Sequence, residues 1–221
     1  MQVLADARGE VQQRACYAIE AFCEHLGPDI LPFLAPLLDR LTTLLQQAPE
    51  RATQERAVSA IAAVAVGAKA AFAPHFDAIY ALMRHLLRQS ASDMLVLRAR
   101  AMECAGLMCL AVGRNTCAHV LQELVGLAMA GLQVDAPELR EYTFGFFAQM
   151  AELMGAEMGP LLPPLLPFLI RAIQQEECTE LAPADQVSCE DRHRSGWSGC
   201  GRLRMLDPPT DKDRSSICPP R

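Results

Sequence analysis

The stretch of this 221-residue chain that decides the fold is Leu139–Phe144, with the sequence LREYTF. Its arginine is the last of four that stand 42 residues apart, at Arg14, Arg56, Arg98 and Arg140. Each arginine opens a similar run, and the four runs read RACYAI, RAVSAI, RARAME and REYTFG. Self-similarity at a fixed period of this size is typical of a helical solenoid, in which each unit packs on its neighbours. The period therefore predicts an all-α array of antiparallel helix pairs.

A second set of apolar positions, between the arginine runs, repeats with the same period. Its members are Leu37, Ile79 and Leu121, then Leu41, Met83 and Val125, then Leu44, Leu86, Ala128 and Ile170. The spacing of apolar residues predicts a first helix at residues 10–25, a second at 31–47 and a final one at 164–175. The faces expected to be buried are Ala15, Ile19, Phe22 and Leu26 on the first helix, and Leu165, Phe168, Leu169 and Ile173 on the last.

Several residues predict where helices begin. Pro36 falls inside the second predicted helix, so we expect a late start or a kink there. Ser92 or Asp93 is expected to accept the first free N–H groups of the following helix as its N-cap. Asp135 is expected to be a capping acid, followed by Pro137 in the opening turn.

The repeat pattern predicts one array over residues 1–177, with about four helix pairs and an incomplete first unit. Residues 1–5 resemble the last turn of a helix, so we expect the chain to be a fragment or an alternative product. Residues 178–221 lose the periodicity and are rich in Ser, Gly, Pro, Arg and Asp. Such a segment buries too little apolar surface to offset its ordering entropy, which predicts a disordered tail.

Charge and cysteine content narrow the class of protein. The net charge is −6, and residues 1–177 hold 13 Lys and Arg against 19 Asp and Glu, while residues 178–221 hold 7 of each. An acidic array argues against direct binding to nucleic acid and favours basic partners.

Nine cysteines, an odd number, with no secretory signal, indicate a reducing compartment. The five in helical patterns are expected to be buried: Cys16, Cys23, Cys104, Cys109 and Cys117. The longest apolar runs, 57–68 and 159–170, are too short to span a bilayer, so no membrane partner is predicted.

No motif for catalysis or for a cofactor is present. The five histidines lack metal-ligand spacing, and Cys117-Ala-His119 would need ligands from elsewhere. Cys178, Cys189 and Cys200 stand eleven residues apart rather than in CxxC pairs. Phosphate-binding glycine loops, GxSxG and HExxH are missing. We therefore predict no catalytic, cofactor-binding or metal site and no enzyme. A redox protein that uses the tail cysteines is a third, weaker hypothesis.

Several motifs resemble a known family. Leu97-Arg98 and Leu139-Arg140, each opening a helix after a leucine-rich one, resemble the second helix of a HEAT repeat. AIEAF at 18–22, with LG at 26–27 and ILPFL at 30–34, is similar to the karyopherin-β (importin-β) superfamily. Further similar segments are RAMECA at 100–105, LAVG at 110–113 and AFAPHF at 71–76. The branch with the greatest resemblance is that of importins four and five.

This resemblance implies a fragment of a nuclear transport receptor that works in nuclear protein import, in the cytoplasm and the nucleus. Such receptors carry basic cargo, such as histones and ribosomal proteins, and contact the Phe-Gly repeats of nucleoporins. They also bind the small GTPase Ran, although the repeats that make most of that contact would be missing here. The resemblance places the Arg-bearing helices on the concave, cargo-facing side and the leucine-rich helices on the convex side. The alternative is a HEAT scaffold that holds the subunits of a multiprotein complex at fixed spacing.

Two sets of charged residues are candidates for a role in these functions. Candidate cargo-binding acids are Glu20, Glu24, Glu103, Glu141 and Glu152, which could also be ordinary solvated helix residues. The four periodic arginines could contact cargo, but an inter-repeat ladder is the preferred interpretation, in which each caps carboxylates or carbonyls of a neighbouring unit, such as those of Asp39 or Glu55. Phe33, Phe72 and Phe76 are expected in the core rather than in a binding groove.

Overall fold

The array consists of eight α-helices in the part of the chain that the computed structural model describes, namely Leu4 and residues 8–174. They are α1 (Gly9–Leu26), α2 (Leu34–Gln47), α3 (Arg51–Ala68), α4 (Phe76–Leu87), α5 (Leu95–Val112), α6 (Arg114–Gly131), α7 (Pro137–Met154) and α8 (Leu162–Gln174). Short 3-10 segments occur at Gly27–Phe33, Lys69–His75, Ser92–Met94 and Gly155–Leu161. Because no strand occurs in this range, the predicted all-α class is confirmed there. The tail predicted at 178–221 lies outside the described residues.

The helices form two layers. The odd-numbered helices α1, α3, α5 and α7 pack side by side in sequence, so that each contacts the next. On the other layer, α2 packs against α3 and α4 against α5, while α6 lies against both α5 and α7. The largest fully buried side chains come from both layers, among them Leu41, Ile61, Met83 and Leu124. This packing between successive units is what the 42-residue period predicts.

The predicted buried face of α1 is only partly correct. Cys16, Glu20 and Cys23 are the buried residues of this helix, whereas Phe22 is 60% and Leu26 is 40% exposed. One period later, on α3, the equivalents of Ile19, Phe22 and Leu26 are Ile61, Val64 and Ala68, and all three are buried. The pattern thus describes an interior repeat correctly, but α1 has no described helix pair before it. At the other end, the prediction that Ile173 is buried is wrong, because this side chain is 84% exposed.

Three of the four odd helices end in the same unusual backbone conformation. Gly27, Lys69 and Gly155 have φ angles of 51°, 51° and 55°, and ψ angles between −125° and −132°. This region suits glycine, because a Cβ atom clashes with the backbone there. Lys69 is the one non-glycine residue with positive φ in the described chain. Each of these residues is the first of a seven-residue 3-10 segment, so the next α-helix begins seven residues later.

The helix starts differ from the predicted caps. A 3-10 segment precedes α2, so α2 begins at Leu34 and Pro36 falls in its first turn, which confirms the expected late start. Ser92 and Asp93 lie in a 3-10 turn, and the N-cap of α5 is Met94, so that capping prediction is wrong. The N-cap of α7 is Ala136 rather than Asp135, although Pro137 does open the helix. The reason is local: an extra turn or residue separates each polar side chain from the N–H groups that it was expected to cap.

Polar pairs about one period apart tie neighbouring repeats together. The distances are 3.6 Å for Arg51 Nη2 to Asp93 Oδ2, 3.0 Å for His119 Nε2 to Asp77 Oδ1 and 3.2 Å for the bond that Tyr80 Oη donates to Glu123 Oε2. Arg114 also forms an ion pair with Glu157. Residues one period apart occupy equivalent places in adjacent units, which brings these side chains together.

Two further sequence predictions concern the cysteines and membranes. Cys16, Cys23, Cys104, Cys109 and Cys117 are all buried and unpaired, as predicted. The stretches Arg51–Leu87 and Pro137–Gln174 have the length and apolar composition of a membrane span. Core helices of soluble proteins meet the same test, and half of the apolar window in the first stretch is buried inside the array. Length and composition alone therefore do not assign either stretch to a membrane.

Candidate protein-binding surface

Arg100 lies among several charged side chains of the odd-helix layer. It comes from α5, and its side chain is 21% exposed. Its guanidinium carbon is 4.8 Å from the centre of the Tyr142 ring on α7, a cation–π contact. Its Nη1 atom is 3.8 Å from Oε2 of Glu103, one turn further along α5. Because Arg100 and Tyr142 are 42 residues apart, the repeat itself places the cation over the ring.

Carboxylates from three of the odd helices interact with this arginine, and Glu141 of the fourth, α7, interacts with Glu103. Arg100 interacts electrostatically with Glu20 of α1, Glu55 of α3 and Glu103 of its own helix. We call the following set the acidic cluster: Glu20, Glu24, Glu55, Arg56, Arg100, Glu103 and Glu141. It contains five carboxyl groups and two guanidinium groups, so negative charge prevails when all of them are ionised. Tyr142 borders the cluster and is half-buried.

Burial makes the charge of this cluster sensitive to pH. It raises the pKa of Glu20 and of Glu55, and in both cases Arg56 and Arg100 oppose the rise. For Glu103, burial raises the pKa to about 7; Arg100 opposes this, and the nearby charges of Glu20 and Glu141 add to it. Glu103 therefore exchanges its proton near neutral pH. A cation bound beside it would favour the ionised form and displace that proton.

The predicted cargo-binding acids divide into two groups. Glu20, Glu24, Glu103 and Glu141 come together in the acidic cluster, where Glu20 is buried and Glu24 and Glu141 are exposed. Glu152 is exposed too, but it lies eleven residues beyond Glu141 on α7, about 16 Å along the helix axis.

Sequence reasoning did not identify the roles of Arg100 and Tyr142, or the place of Glu55 and Arg56 in the cluster. The separation of Arg100 and Tyr142 by one period was the sequence signal that could have revealed their contact.

The four periodic arginines have different surroundings. Arg14 is exposed, and Arg56 belongs to the acidic cluster. Arg98 is buried, and its Nη1 atom donates a hydrogen bond of 3.2 Å to the carbonyl oxygen of Gln89. The Nη2 atom of Arg140 lies 3.2 Å from Oδ1 of Asp135. The last two contacts reach the connector before the arginine's own helix, and the inter-repeat ladder stays a prediction.

An open apolar groove of about 340 Å³ lies at the first end of the array. Its lining comes from α1, the following 3-10 segment and α2, and consists of Ile19, Phe22, Leu26, Ile30, Phe33 and Leu37. Phe33 is 54% exposed, so its predicted place in the core is wrong, whereas Phe72 and Phe76 are buried as predicted. Among the described residues, no three His, Cys, Asp or Glu side chains are arranged to hold a metal ion.

Both the sequence and the fold of this array are similar to those of importins. Importin subunit beta-3 of Saccharomyces cerevisiae is 32% identical over 173 residues, which is 76% of this chain and 16% of that protein. Importin-4 of Homo sapiens is 33% identical over 137 residues, which is 61% of this chain and 12% of that protein. The crystal structure of Kap121p matches with a TM-score of 0.70 and 31% identity, over 76% of this chain and 16% of Kap121p.

The chain belongs to the karyopherin-β (importin-β) superfamily. The predicted family and the HEAT-repeat solenoid are thereby confirmed, although no family model matches the sequence. This karyopherin chain spans 16% of the length of importin subunit beta-3 and of Kap121p. Kap121p has been crystallised bound to Pho4p and bound to Nup53p. The relatives are named as importins, which are transport receptors rather than enzymes.

Proposed function

We propose that this karyopherin chain binds basic segments of cargo proteins through the acidic cluster, as a non-catalytic module of nuclear import. The observation that carries the proposal is the excess of carboxylates over guanidinium groups at one place on the four odd-numbered helices. A negative surface of this kind attracts Lys- and Arg-rich segments and speeds their association. Tyr142 adds an aromatic face for a cation or an alkyl side chain. Histones and ribosomal proteins have the basic composition that such a surface would recognise.

The family supports the same assignment. Kap121p binds other proteins in its crystal structures, among them Pho4p and Nup53p. By the resemblance to importins, the odd-helix layer would be the inner, cargo-facing side, which is where the cluster lies. A karyopherin of this kind would move between the cytoplasm and the nucleus. Contacts with Phe-Gly nucleoporins, and a weak or missing contact with Ran, belong to the same proposal.

The binding test uses a fluorescent Lys- and Arg-rich histone-tail peptide, with affinity measured by anisotropy at low salt. The triple variant Glu24→Gln, Glu103→Gln and Glu141→Gln keeps the side-chain shapes and, at pH 8, where Glu103 is mostly ionised, removes three charges from the cluster. At roughly 0.5 kcal/mol for each exposed or half-buried pair, it should weaken binding about tenfold. Glu152→Gln removes the same kind of charge outside the cluster and should leave the affinity unchanged.

Three outcomes would count against the proposal. The first is failure of the peptide to bind at low salt, and the second is equal affinity of the triple variant and the unaltered chain. The third is a scaffold-like result, in which a pull-down returns the stable subunits of one complex while basic peptides and Phe-Gly peptides are not retained. Adding GTP-loaded Ran tests the last element, because a chain without an effective Ran contact would keep its peptide.

The pH dependence gives a second check. The pKa of Glu103 is about 7, so lowering the pH from 8 to 6 neutralises one carboxylate of the cluster. Affinity for the basic peptide should therefore fall as the pH falls across this range, by about twofold to fivefold for one charge pair. The variant Glu103→Gln should lose most of this pH dependence.

A further inference from the structure

Arg100 occupies a place that would also suit a cation of a bound protein. Its guanidinium carbon lies 4.8 Å from the centre of the Tyr142 ring. It also interacts electrostatically with Glu20 and Glu103. An aromatic face bordered by carboxylates is the environment that binds a guanidinium group of another protein. Arg100 therefore stands where an arginine of a basic segment would be expected to bind.

The repeat does not require a charged residue at this place. One period before Arg100, on α3, the equivalent residue is Val58, which is fully buried. Arg100 instead keeps 21% of its side chain exposed to solvent. An apolar residue packs at the equivalent place in the array, so the stacking of the odd helices does not account for an arginine at position 100.

Arg100 satisfies the neighbouring carboxyl groups poorly. Its Nη1 atom lies 3.8 Å from Oε2 of Glu103, which is beyond the roughly 3.2 Å limit of a good hydrogen bond. Glu20 is buried, and its Oε1 atom has no hydrogen-bond partner among the described residues. A guanidinium group pairs most strongly with a carboxylate through two parallel hydrogen bonds. An arginine of a bound peptide is not tied to α5, so it can approach these carboxyl groups more closely than Arg100 does.

We propose that Tyr142 and the carboxylates of Glu20 and Glu103 form a subsite for an arginine side chain of the bound protein, and that Arg100 fills this subsite while the chain is free. This inference rests on the proposed function, because it assigns one residue type of the basic segment to one place in the acidic cluster. On binding, the guanidinium group of the ligand takes the ring face, and Arg100 turns towards the solvent. Arginine is favoured over lysine, since its planar group both stacks on tyrosine and pairs with a carboxylate through two N–H groups.

The test compares two fluorescent peptides that differ only in having arginine or lysine, with affinity for the full 221-residue chain measured by anisotropy at low salt and pH 8. Arg56→Gln is the matched control, because it removes one positive charge from the acidic cluster and leaves Arg100 on the ring. It should tighten binding of both peptides by about twofold to fivefold. Arg100→Gln should do the same for the lysine peptide, and should bind the arginine peptide about fivefold more tightly again, because the ring is vacant.

Replacing the ring shows whether the ligand takes the place of Arg100 or binds beside it. In the unaltered chain the ligand gains the ring face that Arg100 gives up, so Tyr142→Leu should change affinity for the arginine peptide by less than about twofold. In the Arg100→Gln background the ring has no resident cation, and the same substitution should weaken binding about fivefold. Should circular dichroism show that Arg100→Gln is unfolded, Arg100→Lys keeps the charge. It should bind the arginine peptide about twofold more tightly than the unaltered chain, since an ammonium group stacks less well on the ring.

Three results would overturn the arginine subsite. One is an equal gain for Arg100→Gln and Arg56→Gln with the arginine peptide, which would leave the proposed function standing if the triple glutamine variant still bound weakly. Another is weaker binding of both peptides by Arg100→Gln, which would mean that Arg100 holds Tyr142 in place for the ligand. The third is an equal loss from Tyr142→Leu in both backgrounds, which would indicate a ring contact beside Arg100. If neither peptide bound any of these proteins, the proposed function and the subsite would both be wrong.

Discussion

Replacing Glu103 with glutamine should stabilise the protein at pH 8 and have little effect at pH 5. The side chain of Glu103 is only 16% exposed, and burial raises its pKa from 4.5 to about 7. Between these two values the folded state holds a proton that the unfolded state has lost. Linkage then requires the free energy of unfolding to fall as the pH rises through this window. The contribution of protonated Glu103 to the free energy of unfolding is fully present below pH 4.5 and is lost as the pH rises through 7.

The size of the effect follows from the same values. A pKa raised from 4.5 to about 7 corresponds to a penalty of about 3 kcal/mol on the charged form. Only part of this penalty falls between pH 5 and pH 8, and the remaining exposure of the carboxyl reduces it further. We expect Glu103 to lower the free energy of unfolding by about 2 kcal/mol over that range. Glutamine has nearly the same shape and no charge, so the variant should lack this decline.

The assay is urea denaturation of both proteins at pH 5 and at pH 8, with the slope against urea checked for equality. Glu152→Gln, at an exposed site on the neighbouring helix α7, serves as the control and should differ from the unaltered chain equally at both pH values. The argument would be refuted if the free energies of unfolding of Glu103→Gln and the unaltered chain differed by the same amount at both pH values. A variant less stable than the unaltered chain at pH 8 would also refute it, because the attraction to Arg100 would then outweigh burial.

Urea denaturation also tests three changes in the helices and turns. Lys69→Gly should stabilise the protein by about 1 kcal/mol, because glycine tolerates the φ of 51° at that turn. Gly27→Ala, at the same φ with open space around it, should destabilise the protein by a similar amount. If neither substitution changed the free energy of unfolding, backbone strain at these turns would be contradicted. Gly106→Ala should cost about 1–3 kcal/mol, since its Cβ would overlap side chains of α7, whereas Gly126→Ala, on an open helix surface, should gain up to about 1 kcal/mol. Leu124→Ala should destabilise the array by about 2–5 kcal/mol through a buried cavity, and a loss below 1 kcal/mol would contradict its full burial.

The helices were predictable because their signal repeats. A single apolar spacing is ambiguous, but the same spacing in successive copies defines both the helices and their order. Helix starts were less predictable, since seven-residue 3-10 segments with an internal proline, such as Gly27–Phe33, read like the first turns of a helix. Exposure at the ends was also mispredicted. Phe22 and Ile173 have the apolar character of interior positions, and periodicity does not reveal whether a neighbouring layer is there to bury them.

The candidate site was predicted in part. Acidic residues on the odd helices were recognised as a group, yet sequence alone could not separate Glu103, with a pKa near 7, from Glu152 on the surface. The difference depends on how deep each position lies and on which charges surround it. Contacts between neighbouring repeats were easier to predict from the sequence than the environment of a single residue. Arg100 with Tyr142, and Arg51 with Asp93, are each one period apart, so listing complementary residues at that spacing would have found both contacts.

The energetic cost of the acidic cluster is itself an argument that it binds a ligand. Glu20 is buried, and its Oε1 atom has no hydrogen-bond partner within the described chain, while Glu103 keeps a proton near neutral pH. Carboxyl groups held this way lower stability, and apolar residues at the same places would pack the layer at less cost. A basic peptide would reverse the penalty, because each cation that it supplies favours the ionised carboxylates. Binding and folding should therefore be coupled, and a basic peptide should raise the free energy of unfolding of the unaltered chain more than that of the triple glutamine variant.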